Sequence, residues 1–349
     1  MTSRVLVIRL SAIGDVAILL PLLYAAAHSY PQTEFVMMTQ QGLVSLFAGA
    51  PPNVRLIGLD LKGKQHSLLG LLRHLQQTEL GYFTHIIDCH NVLRTIIIRN
   101  LLRYKTRRTF YLVKNRNAQQ RLLSSRPIEP LTPVWRRYAT LFEQAGFPLP
   151  EKIDPPLRKP EPLTQTLFPQ TAKGEDCWIG IAPFSQHKGK IYPLDKMLEV
   201  VGRLVVHPNV RIFLFGGGEQ ESQTIDQWIE RHPALLRMPQ GTTLLQEVQF
   251  MQHLDLMVSM DSANLHFASL VATPVVSFWG QTHPDAGFFP WNQSRDLIAQ
   301  SDLPCRPCSI FGNKPCQRGD WACLHTMTAR KLYERIAQHI EPKRHSTLS

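Results

Sequence analysis

Met260-Asp-Ser-Ala-Asn-Leu-His-Phe-Ala-Ser-Leu-Val-Ala-Thr-Pro-Val-Val-Ser-Phe-Trp-Gly280 is the stretch that decides the fold. Asp255 to Met260 is an apolar run of strand length that stops at Asp261-Ser262, two residue types suited to a helix N-cap. Leu265, Ala268 and Leu270 mark a short helical segment, Thr273-Pro274 breaks it, and Val275 to Trp279 reads as a second buried strand. Strand, capped helix and strand form the unit from which parallel sheets are wound. In such sheets the strand-to-helix turn lies at the carboxyl edge, where ligands bind, and the N–H groups of the helix start attract phosphate. Asp261, Ser262 and His266 crowd that turn. Two readings fit it equally: a docking place for an anionic nucleotide, or an ordinary N-cap with a packed histidine.

A second unit of the same kind opens the chain. Arg4 to Leu10 is a strand, Ser11-Ala-Ile-Gly-Asp15 a turn, and Val16 to Ala27 an apolar helix. Gly14 permits a tight turn near a ligand, and Asp15 falls in the first helical turn, where the helix dipole favours a carboxylate. A capping aspartate explains Asp15 equally simply. Its weight comes from the same device recurring in each half of the chain.

At 349 residues the chain exceeds the usual size of one core and is expected to form two domains of roughly 150 residues. Its 44% hydrophobic and 19% charged residues are those of a soluble globular protein. No stretch approaches the roughly 20 apolar residues needed to span a bilayer. Val16 to Ala27 imitates a secretory signal, but Arg9 and Asp15 interrupt it and Val5 to Leu10 already serves as a strand. A cytoplasmic chain with reduced thiols is the expectation.

Phe35 to Met38, Val54 to Leu59 and His85 to Asp88 read as further strands of the first half, and Leu68, Leu71, Leu72 and Leu75 as an amphipathic stripe. Residues 149 to 163 hold five prolines and form a linker. Beyond it, strands at Trp178 to Ala182 and Val210 to Phe215 alternate with helices at Leu194 to Val206 and Thr243 to Gln252. The second of these strands runs into Gly216-Gly-Gly218. This order is that of two α/β domains with a cleft between them.

The formal net charge of +11 is unevenly placed. Arg94, Arg99, Arg103, Lys105, Arg107, Arg108, Lys114, Arg116, Arg121 and Arg126 share one stretch without an acidic residue. Such a block favours a polyanion: nucleic acid, an anionic membrane face or a phosphorylated glycolipid. Against nucleic acid stand the missing helix-turn-helix, ribonucleoprotein and zinc-finger patterns and the lack of aromatics spaced for base stacking. A solvated basic face accounts for part of the block. Cys305-x2-Cys308, followed by Cys316 and Cys323, is a donor set for a tetrahedral structural zinc, without the second close pair of the strongest signatures; free or packed thiols are the alternative.

Taken in order, Arg9-Leu-Ser-Ala-Ile-Gly-Asp15, Lys190-Ile-Tyr-Pro193, Gly216-Gly-Gly-Glu219, Asp261-Ser-Ala-Asn-Leu-His266 and Thr273-Pro-Val-Val resemble the ADP-heptose:lipopolysaccharide heptosyltransferase family. The match runs from residue 4 to about residue 340. It implies the GT-B architecture: two Rossmann-like α/β domains facing each other across a cleft. An acceptor-side domain would cover 1–160, a nucleotide-sugar domain 161–326, and a C-terminal helix and tail 327–349. The implied reaction is inverting, metal-independent transfer of heptose from ADP-heptose to an anionic lipopolysaccharide core. The chain would then be cytoplasmic and peripheral on the inner face of the membrane.

The resemblance also implies roles. Asp15 matches the family's base, and Lys190 would meet the departing diphosphate together with Ser185 and the Ser262-Ala263 helix start. Asp261 would take sugar hydroxyls or orient Lys190. Glu219 would bind ribose hydroxyls, as an acidic residue does in other nucleotide sites. His266 either serves the phosphate turn or packs beneath it. Arg94, Arg99 and Arg103 would hold the acceptor. Three positions depart from the pattern: Ala263 stands for a glycine, Tyr192 for a tryptophan and His283 for an aspartate. All lie on the donor side and bear on which sugar and base are taken. A nucleotide-sugar epimerase of the same architecture and a noncatalytic polyanion binder are the competing readings.

Overall fold

The computed structural model describes residues 3–63, 67, 70, 71, 73, 81–102, 106–158, 166–171 and 173–340. Its chain divides into two compact units, Met1–Asn115 with Thr132–Pro156, and Arg116–Leu131 with Leu157–Ser349. The last crossing lies inside the proline-rich stretch read as a linker.

Five parallel strands build the first unit: β1 (Arg4–Ile8), β2 (Glu34–Gln40), β3 (Val54–Leu59), β4 (Phe83–Asp88) and β5 (Thr106–Tyr111). Their order is β3-β2-β1-β4-β5. Helices α1 (Ile13–Ser29) and α2 (Leu93–Leu102) follow β1 and β4. Val5 to Ile8 are fully buried, as a strand covered on both faces requires. Helix α1 starts at Ile13, so Gly14 is helical and Asp15 sits in the first turn. Leu71 of the amphipathic stripe is buried; Leu68, Leu72 and Leu75 lie outside the described residues.

Helix α3 (Arg116–Ser124) groups with the second unit. Leu122 packs there with Ala286 and Ile310, and the Leu131 N–H donates to the Asp285 carbonyl at 2.8 Å. Helix α4 (Val134–Gln144) returns the chain to the first unit and packs on α1.

Six parallel strands build the second unit: β6 (Cys177–Ala182), β7 (Val210–Leu214), β8 (Leu236–Arg237), β9 (Leu256–Met260), β10 (Val275–Trp279) and β11 (Ile298–Gln300). The order β11-β10-β9-β6-β7-β8 is the dinucleotide-binding order counted from β6. Between and after them run α5 (Leu194–Val205), α6 (Glu219–Arg231), α7 (Leu244–Met251), α8 (Ala263–Leu270), α9 (Ala322–His325) and α10 (Ala329–Ile340). Helix α7 starts with a complete capping box between Thr243 and Gln246. Trp178, Phe213 and Phe250 meet with ring centroids 4.8 to 6.0 Å apart, Trp178 stacked on Phe250 and tilted to Phe213, and Phe213 edge on to Phe250. Each such burial contributes about 1.5–3 kcal/mol.

Both sheets therefore carry a switch point where the chain reverses its winding direction, between β1 and β4 and between β6 and β9. Ligands of such sheets bind outside the carboxyl ends of those strands.

Candidate active site

At the switch point of the second unit, the segment after β6 and the turn after β9 converge on Asp261. Its side chain is nearly buried, and Lys190 Nζ lies 2.9 Å from Asp261 Oδ2. The Thr282 hydroxyl donates to the same oxygen at 2.8 Å, and the Ser185 hydroxyl donates to the Asp261 carbonyl at 3.1 Å. Lys190 ends a short 3-10 turn, Lys188–Lys190. Its stem lies against Gly312, whose φ is +72° and where a Cβ would sit 2.5 Å from Lys190 Cγ. Only glycine fits that conformation and contact together. The ammonium has three donors, and Asp261 occupies one. Ser262 is the N-cap of α8 by backbone geometry, but its hydroxyl faces Ser259 Oγ at 3.2 Å and makes no cap bond. The N–H groups that an N-cap side chain would take are thus left to another acceptor. Ala263 is the first helical residue, and His266, one turn on, is buried.

At the switch point of the first unit, Arg9 follows β1 and forms an ion pair with Asp15. The guanidinium also donates to the Cys89 carbonyl just past β4, at 2.7 Å, and lies over the Tyr138 ring at 5.9 Å. Burial works against the Arg9 charge, but Tyr138, Asp15 and Cys89 raise its pKa above the ordinary value. Burial also pushes the Tyr138 hydroxyl well above the tyrosine range. Next along, burial and the charges of Arg9, Lys114 and Arg94 hold the His90 imidazole down to about 3, so the ring is neutral.

Glu219 opens α6 at the end of the glycine run and is exposed, while Glu221 accepts from the Gly217 N–H at 2.8 Å. Arg99 pairs with the buried Asp88 at 3.0 Å and stacks on Tyr111 at 4.2 Å. Arg94 belongs to the same helix. Arg103 lies outside the described residues. The basic block is divided: its members up to Lys114 belong to the first unit, and Arg116, Arg121 and Arg126 to the second. His283, which stands for the expected aspartate, accepts from the Asp285 N–H at 3.2 Å and caps a short turn. Tyr192 is fully buried and donates to the Met327 carbonyl at 3.0 Å.

Cys305, Cys308, Cys316 and Cys323 are free thiols. Burial raises the Cys308 and Cys323 thiols, the latter to about 11; Cys305 and Cys316 also raise Cys308, and all three other sulfurs of the set raise Cys323. Among the described residues no group of three or more His, Cys, Asp or Glu is gathered to hold a metal ion. Arg306, between the first pair, is buried and donates to the Trp279 and Thr282 carbonyls at 2.8 Å. It ties the cysteine segment to the end of β10.

Sequence reasoning missed Arg9, Thr282, Gly312 and Arg306. Arg9 was readable only as a strand residue and the first residue of the Arg9–Asp15 motif, because Cys89 and Tyr138, which hold its guanidinium, are 80 and about 130 positions away. Thr282 and Gly312 act through Asp261 and Lys190, contacts that no local pattern encodes.

The glycosyltransferase family 9 (heptosyltransferase) profile matches residues 71–316. The lipopolysaccharide core heptosyltransferase OpsX of Haemophilus influenzae is 25% identical over 329 residues, covering 90% of this chain and 89% of its own. Among solved structures, Escherichia coli heptosyltransferase WaaC with ADP superposes with a TM-score of 0.68 at 17% identity, over 96% of this chain and 99% of that one. A family 9 glycosyltransferase from Veillonella parvula reaches 0.71 at 17% identity, over 97% of both chains. The chain belongs to glycosyltransferase family 9, the heptosyltransferases.

Proposed function

We propose that the protein transfers heptose from ADP-heptose to a phosphorylated lipopolysaccharide core, with inversion and without a catalytic metal. The observation that carries this reading is the Lys190–Asp261 pair at the switch point of the second unit, framed by Ser185 and Thr282. WaaC has been solved with ADP, and OpsX is named for the lipopolysaccharide core.

In the proposed step the acceptor hydroxyl attacks the anomeric carbon as the carbon–oxygen bond to the diphosphate breaks. Asp15 takes the hydroxyl proton, and ADP leaves with the bonding pair. Lys190 and the free N–H groups at the start of α8 meet the charge that grows on the diphosphate. Asp261 holds Lys190 in place. Glu219 takes ribose hydroxyls, and His266 supports the phosphate turn from below. Arg94, Arg99 and Arg103 lie on the acceptor side, with Arg99 acting through its ordered stack on Tyr111. Donor charge is thus met by the chain's own cations and backbone donors.

The four cysteines are proposed to be packed free thiols, with a structural zinc as the alternative for which their side chains would be the donors. The proposed location is cytoplasmic, peripheral on the inner membrane face; among the described residues no helix is long and apolar enough to cross a membrane.

A thermal-shift panel of ADP-, UDP-, GDP- and CMP-sugars tests the donor. A ligand at 100 times its Kd adds about 2.7 kcal/mol. Stabilisation by ADP-heptose above the other sugars is expected, and silence across the panel overturns the reading. Elemental analysis of purified protein decides between the two: folded protein without zinc is expected, and about one equivalent, lost with Cys308→Ser, would establish the zinc instead.

A further inference from the structure

Two consecutive residues hold the two members of the Lys190–Asp261 pair. The Thr282 hydroxyl donates to Asp261 Oδ2, and the Gln281 N–H donates to the Gly189 carbonyl at 2.7 Å, inside the turn that ends in Lys190. That turn, Lys188–Lys190, is three residues long and has no side-chain cap, so its place is set by what surrounds it. The fit there is close. A Cβ on Gly280 would lie 2.5 Å from the Gly189 carbonyl oxygen, and one on Gly189 would lie 2.7 Å from the Gly312 carbonyl oxygen. Glycine at both positions lets three backbone segments meet.

The side chain of Gln281 ties these segments together. It is fully buried, and its Nε2 donates to the Lys314 carbonyl at 2.8 Å. The Gln281 carbonyl in turn accepts from the Cys308 N–H at 3.2 Å. Burial, then Cys305 and Cys316, raise the Cys308 thiol, and a hydrogen bond from the Gln281 side chain works the other way. The remaining amide atom, Oε1, is buried beside Gly189 and has no hydrogen-bond partner among the described residues. A buried amide with one end unpaired is destabilising, and a methionine would fill the same space without that penalty. What the amide adds is the tie to the Lys314 carbonyl. The loop held by that tie carries Gly312, which lies against the Lys190 stem. A lysine needs such support, because its ammonium sits on a flexible four-carbon stem.

We infer that Gln281 is a positioning residue for the leaving-group cation, which makes the Cys308–Pro315 segment a working part of the donor site. Gln281 acts through Gly312 and the Lys190 stem rather than by contact with substrate. Its consequence for the reaction rests on the proposed role of Lys190, whereas the physical link from Gln281 to Lys190 is measurable without substrate. Such a link is reciprocal. If the loop steadies the stem, removing the stem loosens the loop, and the cysteines of the loop report it.

The experiment is iodoacetamide labelling of the full chain without nucleotide, read at each cysteine by peptide mass spectrometry. Lys190→Ala should speed labelling of Cys308 and Cys316 ~5-fold and leave Cys177, at the start of β6, unchanged. This arm leaves the core intact and so does not depend on a buried substitution folding. Gln281→Met, close in volume, should give the same acceleration. Equal Cys308 rates in wild type and Lys190→Ala overturn the inference. Kinetics read the consequence. Gln281→Met should lower kcat/KM for the donor ~10-fold, mostly through KM, with the acceptor KM unchanged. In a Lys190→Met background the same substitution should cost less than ~2-fold, because the group it positions is gone. Near-normal turnover in Gln281→Met, or an equal loss in both backgrounds, would show that the side chain only packs and would overturn the inference. A wild-type chain that neither binds ADP nor uses ADP-heptose counts against the transferase reading instead, and the labelling arm still decides the link.

Discussion

The two switch points hold the same pair of charges with opposite exposure. In the first unit the anion faces outward: Asp15 is 18% exposed and its partner Arg9 9%. In the second the cation does: Lys190 is 15% exposed and Asp261 5%. Surroundings explain the difference. Arg9 is a planar fork that a carbonyl and an aromatic ring can hold in place, so it serves to orient a carboxylate. Lys190 is a point charge on a flexible stem, steadied at its end by Asp261 and along its length by Gly312. In the proposed reaction one site offers the oriented base and the other the oriented cation. Transfer of a sugar from a diphosphate needs both.

The largest effect expected from breaking this comparison is at Asp15. Asp15→Asn keeps the shape and a partner for Arg9 but removes the proton acceptor. Turnover should fall ~10²–10⁴-fold with ADP affinity nearly unchanged. Single-turnover kinetics and ADP titration check it; near-normal turnover would reduce Asp15 to a helix-dipole partner.

At the other site, Lys190→Met removes the outward cation and leaves a buried carboxylate with only Thr282. Here kcat/KM for the donor should fall ~10²-fold, with donor KM rising, because ground-state and leaving-group charge lose the same partner. Lys190→Arg should recover part of the loss. If Lys190→Met spared donor binding and Asp15→Asn weakened it, the roles assigned to the two sites would have to be exchanged.

Much of this was legible beforehand, and the limit has a physical cause. The Asp255–Gly280 stretch folds as read because its apolar run and Thr273-Pro274 break act locally, while Ser262 takes the cap position by backbone geometry without a cap bond. The glycine run and the first turn of α1 were visible for the same reason. Strand β5 was hidden, since Thr106-Arg-Arg-Thr-Phe-Tyr111 carries two arginines on an edge strand and reads as part of a charge block. Helix α6 was hidden because its surface is polar over most of its length, with only Ile225 and Trp228 buried. The residues that complete each site, Arg9 and Thr282, lie on or just beyond strand ends and are defined only by what the sheet brings beside them. The helix α3 segment groups with the second unit through buried Leu122 and the partly buried Leu123, Ile128 and Leu131, whose partners Ala286, Ile310 and Phe288 no local pattern indicates.

Gly312 allows a gentler test of the second site. Gly312→Ala adds one methyl at a left-handed position and drives it into the Lys190 stem. Donor KM should rise by about tenfold while Asp15-dependent chemistry on bound donor persists. Unaltered donor binding would mean that Lys190 adjusts freely and that its orientation matters little.

The smallest expected effect separates the units by acidity. His90 in the first unit is held neutral with a pKa near 3, through burial first and then Arg9, Lys114 and Arg94, against an unperturbed value of 6.5. The unfolded chain therefore takes up the proton before the folded one does. The stability associated with the neutral ring is present above pH 6.5 and is lost as pH falls toward 3. At pH 5.5 the loss is about 1.4 kcal/mol. In the second unit His283 shifts in the same direction by burial, but Asp285 beside it opposes the shift, so its contribution is smaller. Hydrogen exchange at pH 7.5 and 5.5, corrected for intrinsic rates, should show β1 and β4 amides losing about tenfold in protection while β9 and β10 amides lose less. His90→Gln should remove that difference between the units. Equal loss in both units, or a loss that persists in His90→Gln, would show that some other group sets the acid sensitivity of the first switch point.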